Sequence, residues 1–306
     1  CTLFGWRAVF VVPLVGGVVV AAAGVKLVQN VGERSNTTLD ILSVVLLAAG
    51  ITAFVYSVGE FSTNLIAGVV ALFAAVVLLG LFAARQLKLE HPVLNVRPMA
   101  SVRFWPACLL VVVSMMTTFS MSVLLPLYFE GAYGMTALIA GLLILPAIAC
   151  NAVTSIVGGR VMDARGAWPL LPVGFALIAV GQTAISVTAV SMNIGVVVAL
   201  TVVVYAGVGL VLSPSQTAGL ETLPAAEHPH GTALLNTWNM IAASFGPSLF
   251  IGLLSSSAAA ASVAGAAIDV AQAIGFAAAV RVAAVIAVVG FVASLVYAHR
   301  ESHMSH

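Results

Sequence analysis

Nine stretches of mostly apolar residues follow one another along the chain, near 8–28, 40–57, 64–84, 104–128, 136–158, 168–189, 194–219, 231–258 and 280–298. Each has about the length, roughly 20 residues, that a helix needs to cross the hydrocarbon of a bilayer. No water is present there to satisfy backbone N–H and C=O groups, so a spanning segment must be a helix or part of a closed barrel. The stretches are continuously apolar rather than alternating with period two, which selects helices. The composition, 62% hydrophobic and 7% charged, agrees: a soluble domain is about a quarter charged, because its surface must face water. The sequence therefore predicts an all-α membrane protein built as a helical bundle.

The few charges fix an expected orientation. Lys26, Arg34, Arg85, Lys88, Arg97, Arg103, Arg160, Arg165 and Arg300 fall on one side of the predicted spans, and Glu60, Glu130 and Asp269 on the other. Basic loops stay in the cytoplasm, so the C-terminus is expected inside and residue 1 outside. Arg7 precedes the first span. Arg281 sits either at the outer interface, snorkelling, or, if its helix starts near Ala271, buried and functional; the interface is favoured. Cys1 opens the chain and Met99 is its first methionine, which suggests a fragment of a longer protein. A mature lipoprotein beginning at Cys1 is the alternative.

Several function classes lose support at this stage. The net charge of +1 offers no footprint for nucleic acid. Cys1, Cys108 and Cys150 suggest neither a disulfide framework nor a zinc site. Glu227, His228 and His230 in "EHPH" are too few for a usable metal site. The sequence holds no nucleophile–base–acid arrangement and no phosphate-binding glycine loop, so no enzyme is expected.

The segment "GGRVMDARGAWP" (residues 158–169) places Arg160, Asp163 and Arg165 between two apolar runs. It reads as a tight cytoplasmic turn. Gly158 and Gly159 would let helix ends approach, Gly166 would take a positive φ, and Pro169 would open the next helix. Asp163 would then lie near that helix's N-terminus, where the dipole favours a carboxylate.

The spans also carry polar and polarizable side chains suited to a ligand cavity. Met115, Met116, Phe119 and Met121 lie in the fourth, and methionine adapts to varied shapes. Asn236, Trp238, Asn239 and Phe245 lie in the eighth, with Asn236, Asn239 and Ala243 at i, i+3, i+7 on one stripe. Asn151 and Gln216 could join them. Interhelical hydrogen bonding is the alternative use for such amides.

Gly159, Asp163 and Gly166 match the G-x-x-x-D-x-x-G core of the cytoplasmic loop signature of the major facilitator superfamily, although Ala167 and Trp168 replace the usual basic pair. "SPSQTAGLETLPAAEHPHGTALLNTWNMIAASFGPSL" (residues 213–249) resembles the fourteen-helix drug:proton antiporters of the EmrB/QacA type. "PHGTALLNT", "NTTLDILSVVL" and "LPLYFEGAYGMTALIAGLLILP" are similar to the lincomycin-resistance branch. This resemblance implies a major facilitator bundle. Residues 1–30 would be the last helix of the N-terminal six-helix half, 31–84 an inserted helix pair, and 85–103 a cytoplasmic linker. Residues 104–298 would be the C-terminal half and 299–306 a cytoplasmic tail. Five helices would be missing before Cys1.

The same resemblance implies efflux of a hydrophobic or amphiphilic small molecule across the bacterial cytoplasmic membrane, with protons, membrane lipids and the missing N-terminal half as partners; the alternatives are a non-transporting helical membrane protein, such as a sensor or assembly factor, and an exporter of an endogenous lipid or metabolite. No cofactor is implied; the proton gradient would supply energy. The loop of Gly159, Arg160, Asp163, Arg165 and Gly166 would act as a conformational switch. No carboxylate lies deep in any span, so the coupling residues are expected in the missing helices.

Overall fold

The computed structural model describes residues 8–27, 40–60, 64–89, 92–102 and 104–302. Arg7, Arg34, Arg103 and the tail from His303 onward lie outside the described residues. The chain divides into two units, Cys1–Leu39 and Asp40–His306. The first contributes α1 (Ala8–Leu27), with a short apolar stretch at Leu14–Gly24. The second contains α2 (Ile41–Glu60), α3 (Leu65–Lys88), α4 (Phe104–Tyr133), α5 (Ala137–Arg165), α6 (Leu170–Thr188), α7 (Ile194–Glu221), α8 (His228–Val263) and α9 (Ile268–Ser302). All eight of these are long and apolar enough to cross a membrane, and the described residues contain no strand.

α2 and α3 form an antiparallel hairpin whose seam can be read from the sequence. Buried Ser43, Gly50 and Ser57 recur every seventh residue on α2, as do Gly68, Ala75 and Phe82 on α3. A seven-residue repeat keeps one face of each helix against the other. Small residues on that face let the backbones close up where no hydrophobic force presses helices together. Gly50 shows how close they come: a Cβ there would meet the Leu79 side chain at 2.7 Å. The Asn64 side chain caps α3 by accepting from the Ala67 N–H at 3.2 Å.

α4 to α9 pack as two related triplets. α4 packs on α8 as α7 packs on α5, α4 packs on α9 as α7 packs on α6, and the pairs α4–α7 and α6–α9 meet across the centre. Exchanging α4–α6 with α7–α9 leaves these contacts in place, although α8 packs closely on α9 whereas α5 barely touches α6. α4 begins at the end of the bundle carrying Arg85, Lys88, Arg97, Arg160 and Arg165, hereafter the basic end. α7 begins at the opposite, acidic end, with Glu60, Glu130 and Asp269. The triplets therefore run in opposite directions, the arrangement of an inverted repeat. Internal prolines follow the same exchange: Pro126 in α4 with Pro214 in α7, and Pro146 in α5 with Pro247 in α8.

Close backbone approach joins helices both between and within the triplets. A Cβ on Gly207 of α7 would meet the Gly174 carbonyl of α6 at 2.6 Å, and one on Gly275 would collide with the Leu254 carbonyl of α8. At the acidic end Tyr128 is buried, stacks on Phe276 with ring centroids 4.2 Å apart, and donates from its hydroxyl to the Ala189 carbonyl at 2.7 Å.

α9 differs from its expected span. It starts at Ile268 and runs 35 residues, taking in the stretch that the sequence suggested as a separate amphipathic segment. Arg281 thus lies well inside the helix, yet it is exposed, not buried.

Gly207→Val will force α6 and α7 apart. Overpacking of this kind costs about 1–3 kcal/mol, and thermal unfolding of the purified protein in detergent should show the lowered midpoint. Gly80→Val, where a Cβ meets nothing within 4 Å, should leave it unchanged.

Candidate functional site

The charged segment is mostly helix, which corrects its reading as a loop. α5 continues through Gly158, Gly159, Arg160 and Asp163 to Arg165, and only residues 166–169 form the turn. Gly166 has φ 74° and caps α5 through its N–H to the Met162 carbonyl at 2.8 Å. The glycines divide their roles. Gly158 faces α7, where a Cβ would stand 3.3 Å from the Gly209 carbonyl, whereas Gly159 meets nothing within 4 Å. Arg160, Asp163 and Arg165 are all exposed. Asp163 therefore sits in the last turn of α5, where the dipole favours the two arginines and opposes a carboxylate. It makes no ion pair or hydrogen bond among the described residues.

The expected cavity residues lie on α4, α5, α7 and α8, the proline-bearing helices. Met115 and Met116 are each 8% exposed, Phe119 is half-buried, and Met121 is fully buried in the core. Gly246 of α8 lies opposite Met116 and Phe119: a Cβ there would be 3.7 Å from the Met116 Cα and 3.8 Å from the Phe119 Cβ. The adjacent Phe245 stacks on Phe54 of α2 at 5.8 Å, which seats the α2–α3 hairpin against α8. The Asn151 side chain donates to the Tyr205 carbonyl at 3.1 Å and so ties α5 to α7. Asn236 is exposed and Asn239 and Gln216 are half-buried; none of the three has a hydrogen-bond partner among the described residues.

Trp238 turns away from that amide stripe. Its indole N–H lies 3.3 Å from the Met99 sulfur, and Cys108 approaches the same sulfur at 3.7 Å. Met99 belongs to the short turn Arg97–Ala100 in the linker, so the linker is docked between α4 and α8. His228 of "EHPH" places its Nε2 3.1 Å from the Leu223 carbonyl, so one ring nitrogen is engaged in the turn before α8.

A polar chain at the basic end was missed in the sequence. Asp40 accepts from Arg85 Nε at 2.7 Å and Arg85 Nη2 at 3.1 Å, a two-pronged pair. Ser43 donates to Asp40 at 2.5 Å, Gln86 donates to Ser43 at 2.6 Å, and the Leu94 N–H donates to Gln86 at 3.1 Å. The chain thus runs from α2 through α3 into the linker. The hydrogen bonds from Arg85 and then Ser43 lower the Asp40 pKa to about 2. A signal was available: an acid opening one span and a base closing the next must meet in an antiparallel hairpin.

The sequence profile described as Major Facilitator Superfamily matches residues 1–247. The chain belongs to this superfamily. It is 30% identical over 253 residues to the lincomycin resistance protein LmrB of Listeria monocytogenes, covering 82% of this chain and 54% of that protein. Its identity to LmrB of Bacillus subtilis is 30% over 258 residues, covering 82% and 53%. To the riboflavin transporter RibZ of Clostridioides difficile it is 22% over 256 residues, covering 83% and 55%. The chain thus spans about half the length of the curated relatives it matches. Family and helices together make it part of a multi-pass membrane protein of the transporter class, not an enzyme.

Asp40 is more acidic in the fold than a free carboxyl, so its pair stabilises fully above the ordinary value of 3.8 and is lost as pH falls through about 2. Asp40→Asn should lower the unfolding midpoint by a similar amount from pH 5 to 8. The gap to the unmodified protein should close progressively below pH 4, as followed by thermal unfolding in detergent.

Proposed function

We propose that the chain is the C-terminal portion of a proton-coupled exporter of hydrophobic or amphiphilic drugs, in the bacterial cytoplasmic membrane with the basic end inside. The observation that carries this reading is the amide pair on α8. Asn236 and Asn239 lie within a span and have no hydrogen-bond partner among the described residues. An amide facing lipid leaves its hydrogen bonds unmade, which is costly in hydrocarbon. The stripe suits a water-filled or ligand-filled path between the two halves of an alternating-access transporter. Met116 and Phe119, opposite Gly246, add a polarizable apolar patch beside that path.

The LmrB relatives, named for lincomycin resistance, support an antibiotic as one substrate. Titratable groups for proton coupling belong inside the membrane. The described carboxylates cluster at span ends, at Asp40, Glu60, Glu130, Asp163, Glu221, Glu227 and Asp269. Coupling is therefore assigned to helices preceding this chain. Asp163, on the last turn of α5 and without an ion pair or hydrogen bond among the described residues, is placed to engage a partner in another state of the cycle.

The test is a drug-sensitive bacterial strain expressing the full-length protein. Resistance to lincomycin or amphiphilic dyes that a protonophore abolishes supports the reading; unchanged sensitivity to all of them overturns it. Asp163→Asn should cut efflux at least tenfold while membrane insertion, measured by immunoblot, stays intact. Asn239→Ala should raise the half-saturating drug concentration roughly threefold to tenfold, the size of one lost hydrogen bond of about 1 kcal/mol.

A further inference from the structure

A lone cation stands on the outer surface of α9. Arg281 is exposed, and no described residue offers it a hydrogen bond or ion pair. Its neighbours on the same face, Val285, Val288 and Val292, are exposed and apolar. Its depth follows from contacts along α9. Phe276 stacks on Tyr128, whose hydroxyl reaches Ala189 at the acidic end of α6. Arg281 is five residues further in, about 7.5 Å along the helix axis. Side chains on a helix lean toward its N-terminus, which for α9 is the acidic end. The guanidinium is thus carried toward the headgroup level while its stem rests on apolar surface.

An apolar groove of about 710 Å³ between α6 and α9 runs past the level of Arg281. Ala176, Val180, Thr183 and Val187 line one wall, and Val288 and Phe291 form the other. Arg281 precedes Val288 by seven residues, two turns along the same line of the helix. The α6 wall extends from Ala176 to Thr188, about 18 Å at 1.5 Å per residue, close to half the roughly 30 Å hydrocarbon thickness.

We propose that this groove holds one acyl chain of an anionic glycerophospholipid, with the lipid phosphate paired to Arg281. Charge complementarity selects the occupant: an apolar slot beside a guanidinium that has no hydrogen bond or ion pair among the described residues fits a chain that ends in a phosphate. With the basic end inside, as proposed above, the lipid belongs to the outer leaflet. The site is separate from the amide stripe of α8, and the lipid is bound there, not transported.

The experiment is native mass spectrometry of the full chain in mild detergent, titrated with dioleoyl phosphatidylglycerol and separately with dioleoyl phosphatidylcholine. Phosphatidylglycerol should bind about fivefold more tightly, the preference one basic residue gives at a charged lipid surface. Arg281→Gln should abolish the preference, and Arg281→Lys should retain most of it. Thr183→Phe, at an exposed groove position, should weaken binding of both lipids. Equal binding of the two lipids, or a preference that persists in Arg281→Gln, overturns the proposal. So does a dimer mass that Thr183→Phe abolishes, which would give the groove to a second copy of the chain.

Discussion

Helices in hydrocarbon are not squeezed together by water, so the structure depends on how near their backbones can come. Where α6 and α7 cross, Gly207 stands against the Gly174 carbonyl and sets the spacing of those two helices. Gly158 and Gly209 do the same for α5 and α7, and Gly275 for α8 and α9. Once these contacts are fixed, larger side chains have defined spaces to fill. Tyr128, Phe175 and Phe276 are fully enclosed because the glycines nearby have already drawn the helices in.

The exchange pattern between α4–α6 and α7–α9 gives these contacts a second meaning. The mid-helix prolines sit on α4, α5, α7 and α8; α6 has only Pro172, in its first turn, and α9 has none. A proline removes one ladder hydrogen bond and bends its helix. The helices with internal prolines also carry Met116, Asn151, Gln216 and Asn239. The other pair, α6 and α9, forms the groove beside Arg281. Internal prolines and the candidate cavity side chains thus occur together on one set of helices, and the apolar groove belongs to the other.

The spans were legible because twenty apolar residues in a row have few alternatives in a bilayer. Gly166 was legible as well, because a sharp reversal after a helix needs a residue that tolerates positive φ. The helical state of residues 158–165 was not, since glycines and charges read equally well as a turn; the helix continues because Gly158 packs on α7 and the charges project outward. The ends of α8 and α9 were misjudged for the opposite reason: polar and small residues mark the end of a hydrophobic run, not of a helix. Trp238 and Asn239 are adjacent in sequence but point to different neighbours, and periodicity alone could not say that Met99, 139 residues away, claims the indole.

The linker's anchoring has a mechanical consequence. It is held at Leu94 by Gln86 and at Met99 by Trp238 and Cys108, while Phe54 rests on Phe245. The segment joining α3 to α4 is thereby fastened at both ends and has little slack to pay out. Any movement of the six-helix unit would carry the hairpin of α2 and α3 with it as a passenger.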